Sequence, residues 1–132
     1  MINNHIPKWD DSFSVGNDRI DHQHQYFLSL IEYLDESVDS NTSPAFVKHM
    51  LDEILLYARF HFCSEENMME QYEYAGYNRH KKLHEQLLHE VTRKIIHFSM
   101  NKAELADIIE FLLSWFLTHT INEDKMFHES LK

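Results

Sequence analysis

An all-α, up-down-up-down four-helix bundle with an extended N-terminal arm is the architecture this sequence predicts, on three observations. Only two glycines and two prolines occur in 132 residues, so few places force the chain to turn, and long helices with short loops are favoured. Apolar residues recur with the helical period in four successive segments. Alternating strand-type runs, internal repeats and low-complexity stretches do not occur in the sequence. Four amphipathic helices with short connections pack most simply as such a bundle, whose interior is the usual place to build metal sites.

The elements follow in order. Residues 1–17 form the arm, ending at Gly16. Asn17 or Asp18 is a plausible N-cap for a first helix over 18–38, with Ile20, Phe27, Leu28, Ile31, Leu34 and Val38 on its inward stripe and His24 inside it. Ser43 followed by Pro44 marks the next start, since proline at the first helical position loses no needed N–H. That helix, over 44–73, carries Phe46, Met50, Ile54, Tyr57, His61, Glu65 and Met68, and Gly76 is expected to close it as a left-handed cap. A third helix over 77–98 carries His80, His84, Leu87, Val91 and Ile95. Asn101 with Glu104 resembles a capping box opening a fourth helix over 102–120, with Ile108, Leu112, Trp115, Phe116 and His119. Asp124 lies five residues beyond His119, roughly 140° off its face on a straight helix, so the helix must loosen near Asn122 for the two to meet.

Composition narrows the function. At 132 residues without a Pro/Gly/Ser-rich linker, the chain reads as one domain over 1–132, long enough to bury a core without disulfides. Twenty-two acidic against twelve basic residues give a formal charge of −10, which argues against nucleic acid and anionic membrane surfaces as partners and favours a monomer. No run of 18 apolar residues could span a bilayer, and the N-terminus lacks a secretory signal, so a cytoplasmic protein is expected. In that setting the Asn41-Thr42-Ser43 sequon reads as loop chemistry. The single cysteine, Cys63, excludes a disulfide framework and a thiolate-rich metal site.

Eleven histidines stand out. Five of them, His24, His61, His80, His84 and His119, share inward stripes with Glu65 and Asp124, enough to hold two metal ions. His61 and Glu65 are four apart, as are His80 and His84, so each pair occupies one face of one helix and can chelate without distorting it. Buried and unpaired, the two carboxylates would be costly, whereas metal coordination makes them tolerable. The other six, His5, His22, His49, His89, His97 and His128, are expected at the surface; His22 lies about 200° around from His24, and His89 about 140° from His84.

Spacing excludes several chemistries. His84 to His89 is one residue too long for the HExxH of zinc proteases. No glutamate has a histidine three residues later, which disfavours the carboxylate-rich di-iron oxidase design. Cys63 is about 200° from both His61 and Glu65, wrongly placed to ligate or to act as their nucleophile. Imidazole with carboxylate suits iron, zinc, copper or manganese. Two six-coordinate ions held by five imidazoles, two bridging carboxylates and a bridging oxide or hydroxide would keep one position open for a small molecule.

These residues resemble those of the hemerythrins, specifically the single-domain bacterial form. The carriers are Trp9, Val15-Gly16, Ile20-Asp21-His22-Gln23-His24, His61-Phe62-Cys63-Ser64-Glu65-Glu66-Asn67-Met68, Tyr77-Asn78-Arg79-His80 with His84, and Trp115-Phe116-Leu117-Thr118-His119 with Asp124. The resemblance implies two non-haem iron ions, one bound by His80, His84 and His119 and the other by His24 and His61, bridged by Glu65, Asp124 and an oxygen atom. It implies reversible dioxygen binding at the two-histidine iron, for storage or delivery to an oxygen-consuming enzyme, without turnover. It also implies a pocket of Phe27, Phe62, Trp115, Phe116 and Thr120. Thr120 departs from the apolar residue that relatives usually carry there, and its hydroxyl is expected to hasten loss of the oxygenated state, a point that Thr120→Ile would test. His22, where relatives often carry an acid, is expected to matter little to iron. The alternatives are an oxygen or redox sensor acting through a partner, disfavoured because the chain ends eight residues after Asp124, and a peroxide- or nitric-oxide-scavenging enzyme, disfavoured by the lack of a general acid in the pocket motifs.

Overall fold

The computed structural model describes residues 6–132, so His5 lies outside the described residues. A single 3₁₀ turn, Asp11–Phe13, precedes four long helices: α1 (Asp18–Ser37), α2 (Pro44–Gln71), α3 (Tyr77–Ser99) and α4 (Leu105–His119). A π-helical stretch, Thr120–Asp124, and a short helix α5 (Lys125–Glu129) complete the chain. The architecture is all-α, and α1–α4 run up-down-up-down with successive helices packed side by side. No described helix is long and apolar enough to cross a membrane.

Local chemistry sets the boundaries. Asn17 caps α1, its side chain accepting from the Ile20 N–H at 3.0 Å, and Ser43 caps α2 ahead of Pro44 by accepting from the Phe46 N–H at 3.2 Å. The left-handed residue closing α2 is Glu73 (φ 51°), not Gly76 as the sequence suggested. The Tyr74 N–H bonds back to the Met69 carbonyl at 2.9 Å, completing a Schellman cap and ending α2 at Gln71 rather than 73. Gly76 (φ −84°) instead precedes α3, where a Cβ would lie 2.7 Å from the Tyr74 ring and that ring would have to shift.

Asn101 likewise does not open the fourth helix. With φ 58° it closes α3 in a second Schellman cap, the Lys102 N–H reaching the His97 carbonyl at 2.8 Å. Consequently α4 starts at Leu105, three residues later than expected, after a Glu104 whose side chain makes no cap.

The arm is fastened by Asp21 on α1, which accepts from the Val15 N–H (2.9 Å) and the Ser14 hydroxyl (2.6 Å). Gly16, at φ 85°, makes the turn that permits this. Trp9 and Phe13 pack onto the core and meet each other edge to face (5.7 Å), and Phe13 meets Phe116 at 6.4 Å.

One long core runs between the helices: Phe27, Ile31 and Leu34 from α1, Leu51, Ile54 and Phe62 from α2, Leu87, Val91 and Ile95 from α3, and Ile108, Leu112 and Phe116 from α4. Burying each such side chain contributes roughly 1.5–3 kcal/mol, which holds the bundle together. Antiparallel order brings the start of α1, the end of α2, the start of α3 and the end of α4 to one end of the bundle. Six of the seven ligand candidates lie on those segments, and the seventh, Asp124, on the π-helical stretch that follows α4. Phe127 of α5, fully buried against Tyr74 (4.8 Å), covers that end.

Candidate metal centre

The bundle gathers the seven side chains into two overlapping groups. Glu65, His80, His84, His119 and Asp124 can each present a ligand atom within 4.8 Å of the others, and so can His24, His61, Glu65 and Asp124. The two carboxylates belong to both groups, and all seven residues are buried. Every imidazole turns its Nε2 inward. His80 Nε2 lies 2.9 Å from Glu65 Oε1 and 3.0 Å from Asp124 Oδ1; His119 Nε2 lies 2.8 Å from Asp124 Oδ1.

The π stretch is what brings Asp124 in. An i→i+5 turn absorbs one extra residue and carries Asp124 round to the face of His119, overcoming the phase error of a straight α-helix. The bidentate pair between Arg79 and Glu123 ties this stretch to the start of α3 from outside.

Without a cation the cluster cannot satisfy itself. His24 and His61 face each other Nε2 to Nε2 at 3.1 Å, as do His84 and His119 at 3.2 Å, and each gap has room for one proton. Glu65 Oε2 is buried without a hydrogen-bond partner, and Asp124 Oδ2, 3.1 Å from His24 Nε2, is not aligned for one. Paired lone pairs and unmatched carboxylate oxygens converging on two points are the donor set of a two-cation site.

The electrostatics agree. Burial, reinforced by His24, pushes the His61 imidazole down to about 3, so it stays neutral with a free lone pair. Burial opposes charge on Asp124 as well, yet the surrounding imidazoles, His119 foremost, hold it well below the usual carboxylate range. His80 is lifted to about 9: burial alone would lower it, but its bonds to Asp124 and Glu65 outweigh that.

Supporting contacts orient the ligands, and sequence reasoning missed them. Neutral His61 must carry its proton on Nδ1, which donates to Gln23 Oε1 at 2.6 Å, while Gln23 Nε2 donates to the Ser64 hydroxyl at 3.2 Å. His84 Nδ1 meets Glu66 Oε2 at 2.8 Å. The only signal for Gln23 and Glu66 was polarity beside a ligand where an apolar residue would also have fitted. His128 corrects an expectation. It is buried, 4% exposed with Nε2 unpartnered, because α5 folds back over the site. His22, His49 and His89 are exposed and His97 is half-buried.

A cavity of about 10 Å³ adjoins the centre, lined by His24, His61, Asp124, Phe27, Ala58, Phe62, Trp115, Phe116 and Thr120. The five side chains expected there from the resemblance all line it, and Ala58 joins them. Their rings also fix the ligands: Phe62 stacks on His84 (3.9 Å, 7°), Trp115 on His119 (4.3 Å, 14°), and Phe116 stands edge-on to His24 (5.4 Å). Trp115 also borders an open groove of about 680 Å³ along α3 and α4.

Comparison with known proteins agrees with this geometry. Residues 15–131 match the family model described as the hemerythrin HHE cation-binding domain. A bacteriohemerythrin of Stenotrophomonas maltophilia is 28% identical over 125 residues, covering 94% of this chain and 80% of that one. A hemerythrin-like protein of Naegleria gruberi is 26% identical over 117 residues, covering 88% and 86%. A crystal structure of wild-type hemerythrin superposes with a TM-score of 0.85 at 26% identity, covering 96% of this chain and 98% of that one.

Proposed function

The chain belongs to the hemerythrin HHE family, and from that premise we propose that it binds dioxygen reversibly at two non-haem iron ions, for storage or for delivery to oxygen-requiring enzymes. His80, His84 and His119 would hold one ion, His24 and His61 the other, with Glu65 and Asp124 shared. When bound, the ions supply reversible one-electron chemistry at each metal. The chain's own residues do the rest.

The observation that carries this reading is an asymmetry. The cavity touches His24, His61 and the shared Asp124 but none of His80, His84 and His119, so a small molecule entering it would approach the side where His24 and His61 would hold an ion. At about 10 Å³ the space is at the lower limit for one water, and Phe27, Ala58, Phe62, Trp115 and Phe116 offer water little to bond. Such a wall admits a small apolar molecule and keeps bulk water from the metals. Gln23 and Glu66 hold His61 and His84 in the tautomer that leaves Nε2 free. Apart from Thr120 and the proposed ligands, the side chains lining the cavity are hydrocarbon and indole, which fits binding rather than turnover.

The test is anaerobic reduction of the iron-loaded protein followed by oxygen titration. A visible absorption band that appears with oxygen and disappears under vacuum is expected. Irreversible oxidation that consumes oxygen would refute the carrier reading and favour an oxidase or scavenger.

A sensing role has one chain of contacts in its favour: Trp9, Phe13, Phe116 and His24 meet in succession edge to face, from the arm to a ligand candidate. Hydrogen exchange of residues 6–17 that changes with oxygen would support sensing.

A further inference from the structure

Exposed apolar side chains of α1 and α2 lie side by side on one outer face of the bundle. Tyr57 joins them, its ring meeting Tyr26 of α1 at 4.9 Å and Phe60 of its own helix at 5.9 Å. Leu56 lies one turn before Phe60, and Tyr33 two turns after Tyr26, each on the same outward side of its helix. Tyr26, Tyr33, Leu56 and Phe60 are 51%, 60%, 66% and 55% exposed. We infer that this face docks a second copy of the chain, with a two-fold axis passing near Leu56.

Charge sets the face apart. The formal charge of −10 disfavours self-association in general, yet the exposed residues of α1 between Arg19 and Glu32 are His22, Gln25, Tyr26 and Ser29, none formally charged. Those of α2 between Glu53 and Glu66 are Leu56, Arg59, Phe60 and Cys63, with Arg59 the single charge. Tyrosine, phenylalanine and arginine in a charge-poor patch are the composition of an interface centre. An aromatic side chain of about 200 Å² that is half exposed leaves roughly 100 Å² in solvent, so the three rings with Leu56 offer roughly 400 Å² of apolar surface. A standard interface takes about 800 Å² from each partner, of which about 57%, or about 450 Å², is apolar. The patch supplies most of what a dimer of that size needs.

The occupant is a second copy because the face carries its own electrostatic complement. Glu53 and Arg59 flank Leu56, three residues to either side and about 60° around the helix from it. Among the described residues neither belongs to an ion pair within the chain. Where two copies of α2 cross antiparallel at Leu56, each Arg59 comes beside the partner's Glu53, whereas a parallel crossing would oppose like charges.

Sedimentation equilibrium of the iron-loaded protein, from about 1 µM to about 500 µM, is the test. The mass is expected to rise from the 15.9 kDa monomer toward twice that value and stop there. Leu56→Glu, at an exposed position, is expected to weaken dimerisation about a hundredfold, with iron content and helical circular dichroism unchanged. Ile96→Glu, at an exposed position on α3, is expected to leave it unaltered. Charge reversal gives the sharper readout. Arg59→Glu and Glu53→Arg shift the net charge in opposite directions, yet each is expected to weaken the dimer about tenfold, and the double variant to recover it. Opposite effects of the two single variants, no recovery in the double, or equal losses in Leu56→Glu and Ile96→Glu would overturn the inference. So would a wild type that stays monomeric throughout, which leaves the face to a different protein, or one that grows beyond a dimer, which indicates an open head-to-tail contact.

Discussion

Replacing Gln23 with leucine tests how much of the metal affinity resides outside the ligands. Gln23 Oε1 accepts from His61 Nδ1 at 2.6 Å, and Gln23 Nε2 donates to the Ser64 hydroxyl at 3.2 Å, both within the buried contact between α1 and α2. Leucine preserves the bulk but strands two buried polar groups, which costs about 1–3 kcal/mol of stability. Because burial keeps His61 neutral, its tautomer is set by this one acceptor. Without it the proton can move to Nε2, the atom aimed at the cation. Losing such an outer partner typically lowers metal affinity by about 10–100-fold, or about 1.4–2.7 kcal/mol. Anaerobic competition between the protein and a chelator for ferrous ion measures this directly, and thermal unfolding measures the stability term. Gln23→Glu, which retains the acceptor, is expected to bind more tightly than Gln23→Leu. Unchanged ferrous affinity in a folded Gln23→Leu would refute the claim that the hydrogen bond organises His61.

Other outcomes follow from the same geometry. Ala58→Leu adds three carbons to a wall enclosing about 10 Å³; it is expected to destabilise by about 1–3 kcal/mol through overpacking and to abolish the oxygen-dependent band while iron content is retained. Asp21→Ala removes the carboxylate holding Ser14 and Val15, costing about 2 kcal/mol, and faster hydrogen exchange in residues 6–17 would reveal the released arm. Burial holds the His128 imidazole below its ordinary value, so below about pH 6.5 the unfolded chain takes up a proton there that the folded chain refuses. Stability is therefore full above that pH and falls as pH drops toward the folded value, and the loss between about pH 7.5 and about pH 5.5 is expected to be smaller in His128→Leu. Equal losses by calorimetry would show that His128 does not contribute.

Helix number, order and inward faces were legible because the amphipathic period is a local property, visible in Ile20, His24, Phe27 and Ile31 without knowing what they touch. The seven ligand candidates were legible for the same reason, with phase separating His24 from His22 and His84 from His89. Where helices end was less legible. Glu73 and Asn101 adopt left-handed conformations because the chain must reverse direction there, and the neighbouring Gly76 and the capping-box pattern pointed elsewhere.

By itself, then, the sequence determined an all-α bundle, four inward stripes and the identity of the groups able to meet a metal, since composition and periodicity act residue by residue. Tertiary structure decided what depends on several segments arriving together. The π turn brought Asp124 onto His119, α5 buried His128, and Gln23 and Glu66 found His61 and His84 across helix contacts. It also placed the cavity beside His24 and His61, where side chains from α1, α2, α4 and the π stretch meet.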